Sequence, residues 1–454
     1  MSFVFNVNLV FLTYVASYLL AFLMRVLVTR AVGADGLGSY TLFLLTVSIA
    51  GAILGLGLNV SAIYHIGKRT FSLRDIVSNS QAVVLGSLVV SGALVGLTAL
   101  TFGDRLDREG VPYWLFVFAV PLFVNFNILA AILQGANRFL AMNLMILLRP
   151  LTVVVLLVAG MAAGGLDLRG ILVFWTISSF LTMAAGLALV GLRHLHLPTA
   201  LRPRWPIFKE QVRFGLQGQI GNLLQLLNYR LDSFLVLAFV NTAGVGLYAV
   251  GVAVTESVWF IANAVAVVLL PRLTHAAAED AARLTPVVCR NTLLVSLAAA
   301  TGVGVLSPVL VEAIFGAEFG PSVTAVYWLL PGTVALAGTK IVSSYIFSQG
   351  KPLINSYITM VTLVATVLFD LALIPPFGVA GAAAASSIAY SLSLVLSLAV
   401  YSRMSGRGAW EAVLVQGSDL RMYLEAARTL RARYAFQGEP SGLSGPGPGP
   451  SPGV

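Results

Sequence analysis

Apolar residues fill most of the chain in long runs that short polar segments interrupt. A helix needs about 20 predominantly apolar residues to cross a bilayer. Twelve stretches meet this requirement, six in each half of the chain. The pattern predicts an all-α integral membrane protein with transmembrane helices at roughly 3–24, 41–63, 80–102, 112–133, 143–163, 170–192, 218–240, 247–269, 290–311, 323–347, 354–375 and 379–402.

Short motifs recur in the same order in the two halves. The Gly-x-Gly-x-Tyr sequence of residues 36–40 returns at residues 244–248, and Gln-Gly at residues 134–135 returns at residues 349–350. Because each half has an even number of predicted helices, both halves keep the same orientation, as in parallel repeats. We expect two six-helix lobes, related by a pseudo-two-fold axis, around a central cleft. The motif glycines would let the chain turn tightly and let helices pack closely.

The segments outside these helices complete the predicted domain organisation. We expect an N-lobe over residues 1–192, a basic cytoplasmic linker over residues 193–213 and a C-lobe over residues 214–402. Residues 403–436 have the arginines and the apolar face of an amphipathic helix that lies on the membrane surface. Residues 437–454 are rich in Gly, Pro and Ser, which predicts disorder.

Composition and charge support this class. The chain is 58% hydrophobic and 10% charged, whereas a soluble domain is about 25% charged. Lys and Arg outnumber Asp and Glu by 27 to 18, and they concentrate in the loops on one side of the predicted helices. This asymmetry places both termini in the cytoplasm and explains the basic balance without nucleic acid as a partner. The chain has a single cysteine, no phosphate-binding loop and no set of metal-ligating histidines. We therefore expect a protein that is not an enzyme and has neither a cofactor nor a metal site.

Ionisable residues at membrane depth are the candidates for function, because such residues are costly in a bilayer and usually face a partner or a cavity. The basic and acidic groups at that depth are Arg25, Arg149, Arg230, Asp232, Glu256, Lys340 and Asp370.

The predicted helix at 218–240 concentrates polar side chains. Helical steps of about 100° put Asn222, Gln225 and Asp232 on one face, which we expect to line the cleft. Arg230 points away from Asp232, so the two do not form a ready ion pair.

Each candidate also has a structural interpretation. Arg25 lies near a predicted helix end and would reach the interface, and Arg149 would satisfy carbonyls freed by Pro150. For Arg230 and Lys340, which lie deeper, a role in the cavity is favoured. The three acidic groups would instead neutralise these cations. Basic groups in an apolar shell suit an anionic, phosphate-bearing substrate, because guanidinium grips phosphate with two hydrogen bonds.

The chain resembles Wzx-type polysaccharide-repeat-unit flippases, of the superfamily that also contains lipid II flippases and multidrug antiporters. The resemblance extends over residues 1–402 and rests on the order and spacing of motifs. These are Thr29–Tyr40 after the first helix, Arg230-Leu-Asp232, Leu270-Pro271-Arg272-Leu273, Gln349-Gly350-Lys351-Pro352 and Phe377-Gly378-Val-Ala-Gly381.

The resemblance implies alternating-access transport of undecaprenyl-pyrophosphate-linked oligosaccharide across the inner (plasma) membrane, from the cytoplasmic to the outer leaflet. It implies coupling to H⁺ or Na⁺, for which Asp232, Glu256 and Asp370 are candidates, and a polysaccharide polymerase and other assembly proteins as partners. It adds Arg30 to the substrate-binding candidates, as the arginine of the motif after the first helix.

Three alternatives remain open. A lipid II flippase usually has two further C-terminal helices. A drug or cation antiporter would depend on carboxylates more than on arginines. A structural scaffold for a glycan polymerase would tolerate the loss of Arg230 and Lys340.

Overall fold

The computed structural model describes residues 3–106, 112–191, 203–417 and 419. These residues form α-helices, joined by short turns and three single-turn 3₁₀ helices. The helices are α1 (Phe3–Leu54), α2 (Leu58–Lys68), α3 (Leu73–Leu106), α4 (Phe116–Gly135), α5 (Phe139–Ala162), α6 (Leu168–Val190), α7 (Trp205–Phe239), α8 (Thr242–His275), α9 (Ala278–Phe315), α10 (Ser322–Ser348) and α11 (Pro352–Ser405).

Two glycines break the longest helices. Gly33 in α1 has φ 65° and Gly378 in α11 has φ 57°, a left-handed conformation that a side chain disfavours. After the first break the chain packs back on itself, since the Tyr40 hydroxyl contacts the Met24 sulfur at 3.4 Å. The turn expected at the Gly-x-Gly-x-Tyr motif therefore lies just before that motif. We use the "Gly33 end" for this end of the bundle and the "Gly135 end" for the opposite one.

Nine helices in the described part of the chain are long and apolar enough to cross a membrane. They include α1, broken at Gly33, and α11, broken at Gly378. The helix α7, which carries Asn222, Gln225, Arg230 and Asp232, is long enough but is not among the nine. The observed architecture is thus an all-helical membrane fold.

Several predicted boundaries differ from the structure, and two of these differences change how the elements are divided. The predicted helix at 41–63 is interrupted at Leu56 and Gly57, which both have positive φ, so its last part is the separate helix α2. Residues 205–213, assigned to the linker, form the start of α7, where Pro206 lies in the first turn that proline tolerates best. The rest of the predicted linker and most of the predicted cytoplasmic tail lie outside the described residues.

The two halves of the chain touch through glycines. Toward the Gly33 end, a Cβ atom on Gly38 would overlap the carbonyl oxygen of Thr242, and one on Gly246 would overlap the carbonyl oxygen of Ala34. These are the central glycines of the two repeated motifs, and we call this contact the motif seam. Toward the Gly135 end, Gly57 and Gly215 meet in the same way. Backbone approaches backbone at both places because no side chain intervenes.

The segment that follows α11 folds back onto α9. Arg290 holds Asp419 through two hydrogen bonds, of 2.5 Å from Nε and 2.8 Å from Nη2. Both side chains are buried, with exposed fractions of 6% and 3%. This bidentate pair fixes the described residues beyond the last helix to the C-terminal half.

Asp419→Ala should lower the free energy of unfolding by about 3 kcal/mol, because it leaves Arg290 buried without its partner. Hydrogen bonds from Arg290 hold the pKa of Asp419 below its usual value of about 3.9. The pair therefore stabilises the fold above that value and ceases to do so as the pH falls through the lowered pKa. Thermal unfolding of the purified protein, followed as the pH is lowered, measures both effects. Glu279→Ala, which breaks an exposed ion pair with Arg283, is the control and should change little.

Candidate functional site

Three cations surround one carboxylate where the two halves meet. The Arg230 Nη2 atom of α7 lies 2.7 Å from the Glu256 Oε1 atom of α8. Arg25 of α1 and Lys340 of α10 also lie within electrostatic range of Glu256. We call these four residues the cation cluster. Asp232 also lies within electrostatic range of Arg230, and the surroundings stay positive in formal charge, since three cationic groups face two carboxylates.

Arg25 reaches the cluster because α1 packs against α8. The Tyr18 hydroxyl approaches the carbonyl oxygen of Ala253 at 3.5 Å, and the rings of Tyr18 and Phe260 are 4.2 Å apart. Arg25 follows Tyr18 by two helical turns and so lies on the same face of α1. The prediction that Arg25 lies near a helix end is wrong, because α1 continues to Gly33. Among the described residues Arg25 forms no hydrogen bond or ion pair.

Lys340 is held by two residues of α8. Its Nζ atom donates a hydrogen bond of 2.5 Å to Asn263 and lies 5.0 Å from the centre of the Trp259 ring. Neither partner is negatively charged, so the positive charge of Lys340 remains available to an anion.

A cavity of about 610 Å³ lies within the first half of the chain, between α1, α2, α4, α5 and α6. We call it the N-half cavity. The Arg149 guanidinium on its wall lies 4.4 Å from the centre of the Phe126 ring and 5.8 Å from that of Trp175. Within the described residues no carboxylate lies within ion-pair distance of Arg149. Asn59, Asn127 and Gln134 add amide groups to the lining.

Two buried carboxylates lie between α7 and α11. Asp232 accepts hydrogen bonds from the Tyr248 hydroxyl, from Ser386 at 3.2 Å and from the backbone N–H of Ser233 at 2.7 Å. Asp370 is fully buried, and neither of its carboxylate oxygens has a hydrogen-bond partner in the described structure. We call Asp232 and Asp370 the acidic pair.

The helices hold these two carboxylates at the same level. Asn228 lies one turn before Asp232 on α7, and Thr366 lies one turn before Asp370 on α11. The Thr366 hydroxyl donates to Asn228 at 3.2 Å, which fixes the register of the two helices. An unpaired buried carboxylate beside another is a costly arrangement unless a proton or a cation neutralises it.

The predicted polar face of α7 does not line a cleft between the halves along its whole length. Asp232 is buried within the C-terminal half, and Gln225 accepts a hydrogen bond of 3.3 Å from Thr359 of α11. Asn222 is exposed. At Gln225 this face packs on α11 instead of lining a cleft, because helix periodicity does not identify what a face packs against.

Arg30 lies apart from the other candidates. Its Nε and Nη2 atoms donate to the carbonyl oxygens of Ile314 and Ala313, at 3.0 and 2.6 Å, where α9 ends. Glu318 accepts a hydrogen bond of 3.1 Å from the Ala34 N–H across the same contact. These bonds satisfy carbonyls that every helix leaves free at its C-terminus. In this structure Arg30 joins the two halves beside the motif seam, and the substrate-binding role that the resemblance implies for it stays a prediction.

Sequence reasoning missed the uncharged partners of the charged residues. Tyr248 and Ser386 bind Asp232, while Trp259 and Asn263 hold Lys340. Tyr248 was visible as the last residue of the second Gly-x-Gly-x-Tyr motif, but nothing in the motif connects it to a carboxylate sixteen residues earlier. The other three residues carry no signal of their own in the sequence.

Known proteins resemble this chain in sequence and in fold. The model of the polysaccharide biosynthesis protein family matches residues 3–277, which is more than half of the chain. A probable low-salt glycan biosynthesis flippase of Haloferax volcanii is 22% identical over 394 residues, which cover 83% of this chain and 79% of that protein.

Two solved structures share the fold at low sequence identity. The lipid II flippase MurJ, in an inward closed conformation, has a TM-score of 0.65 at 14% identity and covers 87% of this chain and 90% of its own. An inward-facing multidrug resistance MATE family transporter of the MOP superfamily has a TM-score of 0.58 at 18% identity, with coverages of 86% and 95%. The all-helical fold, the apolar helices and the family match together identify the chain as a membrane transporter that belongs to the polysaccharide biosynthesis protein family.

Proposed function

We propose that the protein is a flippase for lipid-linked oligosaccharide. It moves undecaprenyl-pyrophosphate-linked repeat units from the cytoplasmic to the outer leaflet of the inner membrane, for surface polysaccharide synthesis. With the breaks at Gly33 and Gly378 counted as turns, and α2 as the end of the second crossing, the helices make twelve crossings. Six crossings before residue 193 and six after residue 204 give the two lobes of this proposal, with both termini in the cytoplasm.

The observation that carries the proposal is the cation cluster. A diphosphate needs several positive charges to replace its hydration as it enters a bundle of apolar helices. Arg25, Arg230 and Lys340 converge from α1, α7 and α10, so both halves contribute to one site. The carboxylate of Glu256 orients Arg230, and the three cations of the cluster still outnumber Glu256 and the nearby Asp232. The lipid tail can stay in the bilayer while the head group crosses about 30 Å of hydrocarbon.

The N-half cavity is the proposed place for the sugar residues. Its volume falls within the range of small-molecule pockets, about 300–1,000 Å³. Amide groups of Asn59, Asn127 and Gln134 match sugar hydroxyls. Arg149 supplies a further positive charge close to Tyr40, which also lies near Arg25. Asn222 and Gln225 have no part in this proposal.

The acidic pair is the proposed coupling site. Binding of H⁺ or Na⁺ at Asp370 removes the cost of its buried charge and so favours one arrangement of α7 and α11 over another. Release on the other side of the membrane resets the two halves.

Arg230→Gln should lower transport about tenfold or more, because charge-assisted hydrogen bonds to the substrate are lost. A tenfold change corresponds to about 1.4 kcal/mol. Arg230→Lys keeps the charge and should retain part of the activity. Complementation of a flippase-deficient strain, with analysis of the lipid-linked sugar that accumulates, measures this. Arg283→Gln, at an exposed site on α9, is the matched control. Full complementation by the Arg230→Gln and Lys340→Gln variants would overturn the proposal and favour a scaffold.

A cation antiporter is the second candidate, and the acidic pair together with the MATE-like fold favours it. It predicts that expressing cells resist cationic dyes and that this resistance requires Asp232 and Asp370 but not Arg230. Dye-resistance assays of the same variants distinguish the two functions.

A further inference from the structure

The described residues beyond the last helix, 406–417 and 419, form a fixed surface. The 3₁₀ helix Ala409–Ala412 packs on the C-terminal half, and Ala412 is fully buried against it. Arg290 binds both the Asp419 carboxylate and, at 3.2 Å through Nη1, the carbonyl oxygen of Glu411. Both ends of the segment are therefore tied to α9. We call residues 409–417 and 419 the post-helix segment.

The length of α9 gives the depth of this segment. Arg290 precedes Phe315, at the Gly33 end, by 25 residues, which is about 38 Å of helix. The hydrocarbon core is about 30 Å thick and the whole bilayer about 40–45 Å. Exposed apolar side chains of α9 begin at Val295 and continue to Leu310, which marks the lipid-facing band. Arg290 and the segment that it holds thus lie just beyond this band, at the level of the head groups.

The post-helix segment exposes a cluster of apolar side chains at that level. Trp410 is 61% exposed and Leu414 58%, and Val413 and Val415 beside them are exposed as well. Arg403 is exposed at the end of α11, immediately before the segment. Tryptophan favours the membrane–water interface, and arginine close to it is attracted to anionic head groups.

We propose that the post-helix segment is an interfacial anchor, in which Trp410, Val413, Leu414 and Val415 insert between the lipid head groups of the adjacent leaflet. The occupant of the surface is lipid, because the segment continues the lipid-facing band of α9 and carries positive charge at its border. The Arg290–Asp419 pair holds the segment in one conformation before it meets the lipid. Without the pair, the free energy gained by inserting four apolar side chains would be offset by the entropy lost on ordering the segment. This inference is independent of what the protein transports.

Tryptophan quenching in nanodiscs tests the anchor. The emission of Trp410 is the difference between the full-length protein and its Trp410→Phe variant. Trp205 is the matched control, because it is 65% exposed but lies 34 residues before Phe239, about 51 Å along α7 and beyond the bilayer. We expect lipids brominated near the head group to quench Trp410 about threefold more than Trp205, and iodide in the water to show the reverse order.

Asp419→Asn should shift Trp410 toward iodide quenching, because it weakens the pair that holds the segment. Iodide quenching of Trp410 as strong as that of Trp205, in the protein without the Asp419 change, would overturn the proposal. That comparison does not depend on whether the Asp419 variant folds.

Discussion

Gly246→Val should abolish transport. Gly246 lies against the backbone of Ala34 across the motif seam, where even one added carbon overlaps the carbonyl oxygen. A backbone cannot yield as the end of a flexible side chain does, so the two halves must separate toward the Gly33 end. Overpacking of this kind costs about 1–3 kcal/mol, which shifts a balanced pair of conformations to between about 85:15 and 99:1.

Gly302→Val is the matched control, because Gly302 lies on a helix of the same half with no atom near its missing Cβ. Transport by both variants, and the labelling of cysteines introduced at the motif seam by an impermeant reagent, are the measurements. Gly246→Val should be labelled faster and transport little, whereas Gly302→Val should match the unmodified protein. Normal transport by Gly246→Val would show that the seam does not have to close.

Asp370→Asn should remove the dependence of transport on an ion gradient. Asparagine resembles the protonated carboxyl in shape but can neither release a proton nor bind Na⁺. The two halves then lose the event that resets them, and the rate with an imposed gradient should fall about tenfold, to the rate without one. Transport into vesicles, measured with and without a pH or Na⁺ gradient, gives both rates.

Asp232→Asn provides the comparison within the acidic pair. Asp232 already accepts four hydrogen bonds, so its replacement should also lower stability, whereas Asp370→Asn should not. A gradient response that survives in Asp370→Asn would remove the coupling role from this site. Asp167→Asn, at the N-cap of α6, serves as a carboxylate control away from the pair.

The sequence predicts the class of this fold well because hydrophobic length is a direct requirement of the membrane. It predicts helix ends less well, since α7 and α9 extend beyond their apolar parts and hydropathy does not register a polar helical turn. The break at Leu56 and Gly57 also escaped prediction, because it lies within a continuous apolar run.

Depth in the membrane singled out Arg230 and Lys340, and their role in substrate binding stays a prediction. The helix geometry of α7 correctly indicated that Arg230 and Asp232 do not form an ion pair. The partner of Arg230 proved to be Glu256, on the next helix. Such pairing depends on how α7 and α8 rotate against each other, which periodicity within one helix does not determine.

For Arg30, too, the sequence does not identify the partners of the side chain. Its motif marks a region that both halves share, yet the side chain caps the end of α9 instead of facing the cation cluster. Position in a motif indicates that a residue matters to the fold or the function, but only its contacts distinguish the two.

Translocation of the head group in vesicles is the decisive test of the flippase proposal. The purified protein is placed in vesicles that contain a polyprenyl-pyrophosphate-linked oligosaccharide, and an impermeant glycosidase reports how much sugar reaches the outer surface. If the protein is a flippase, the sugar should become exposed only when the protein is present. The rate of exposure should require Arg230 and Lys340 and should rise with an imposed ion gradient. Exposure no faster than in protein-free vesicles, or equally fast for Arg230→Gln and Lys340→Gln, would contradict it.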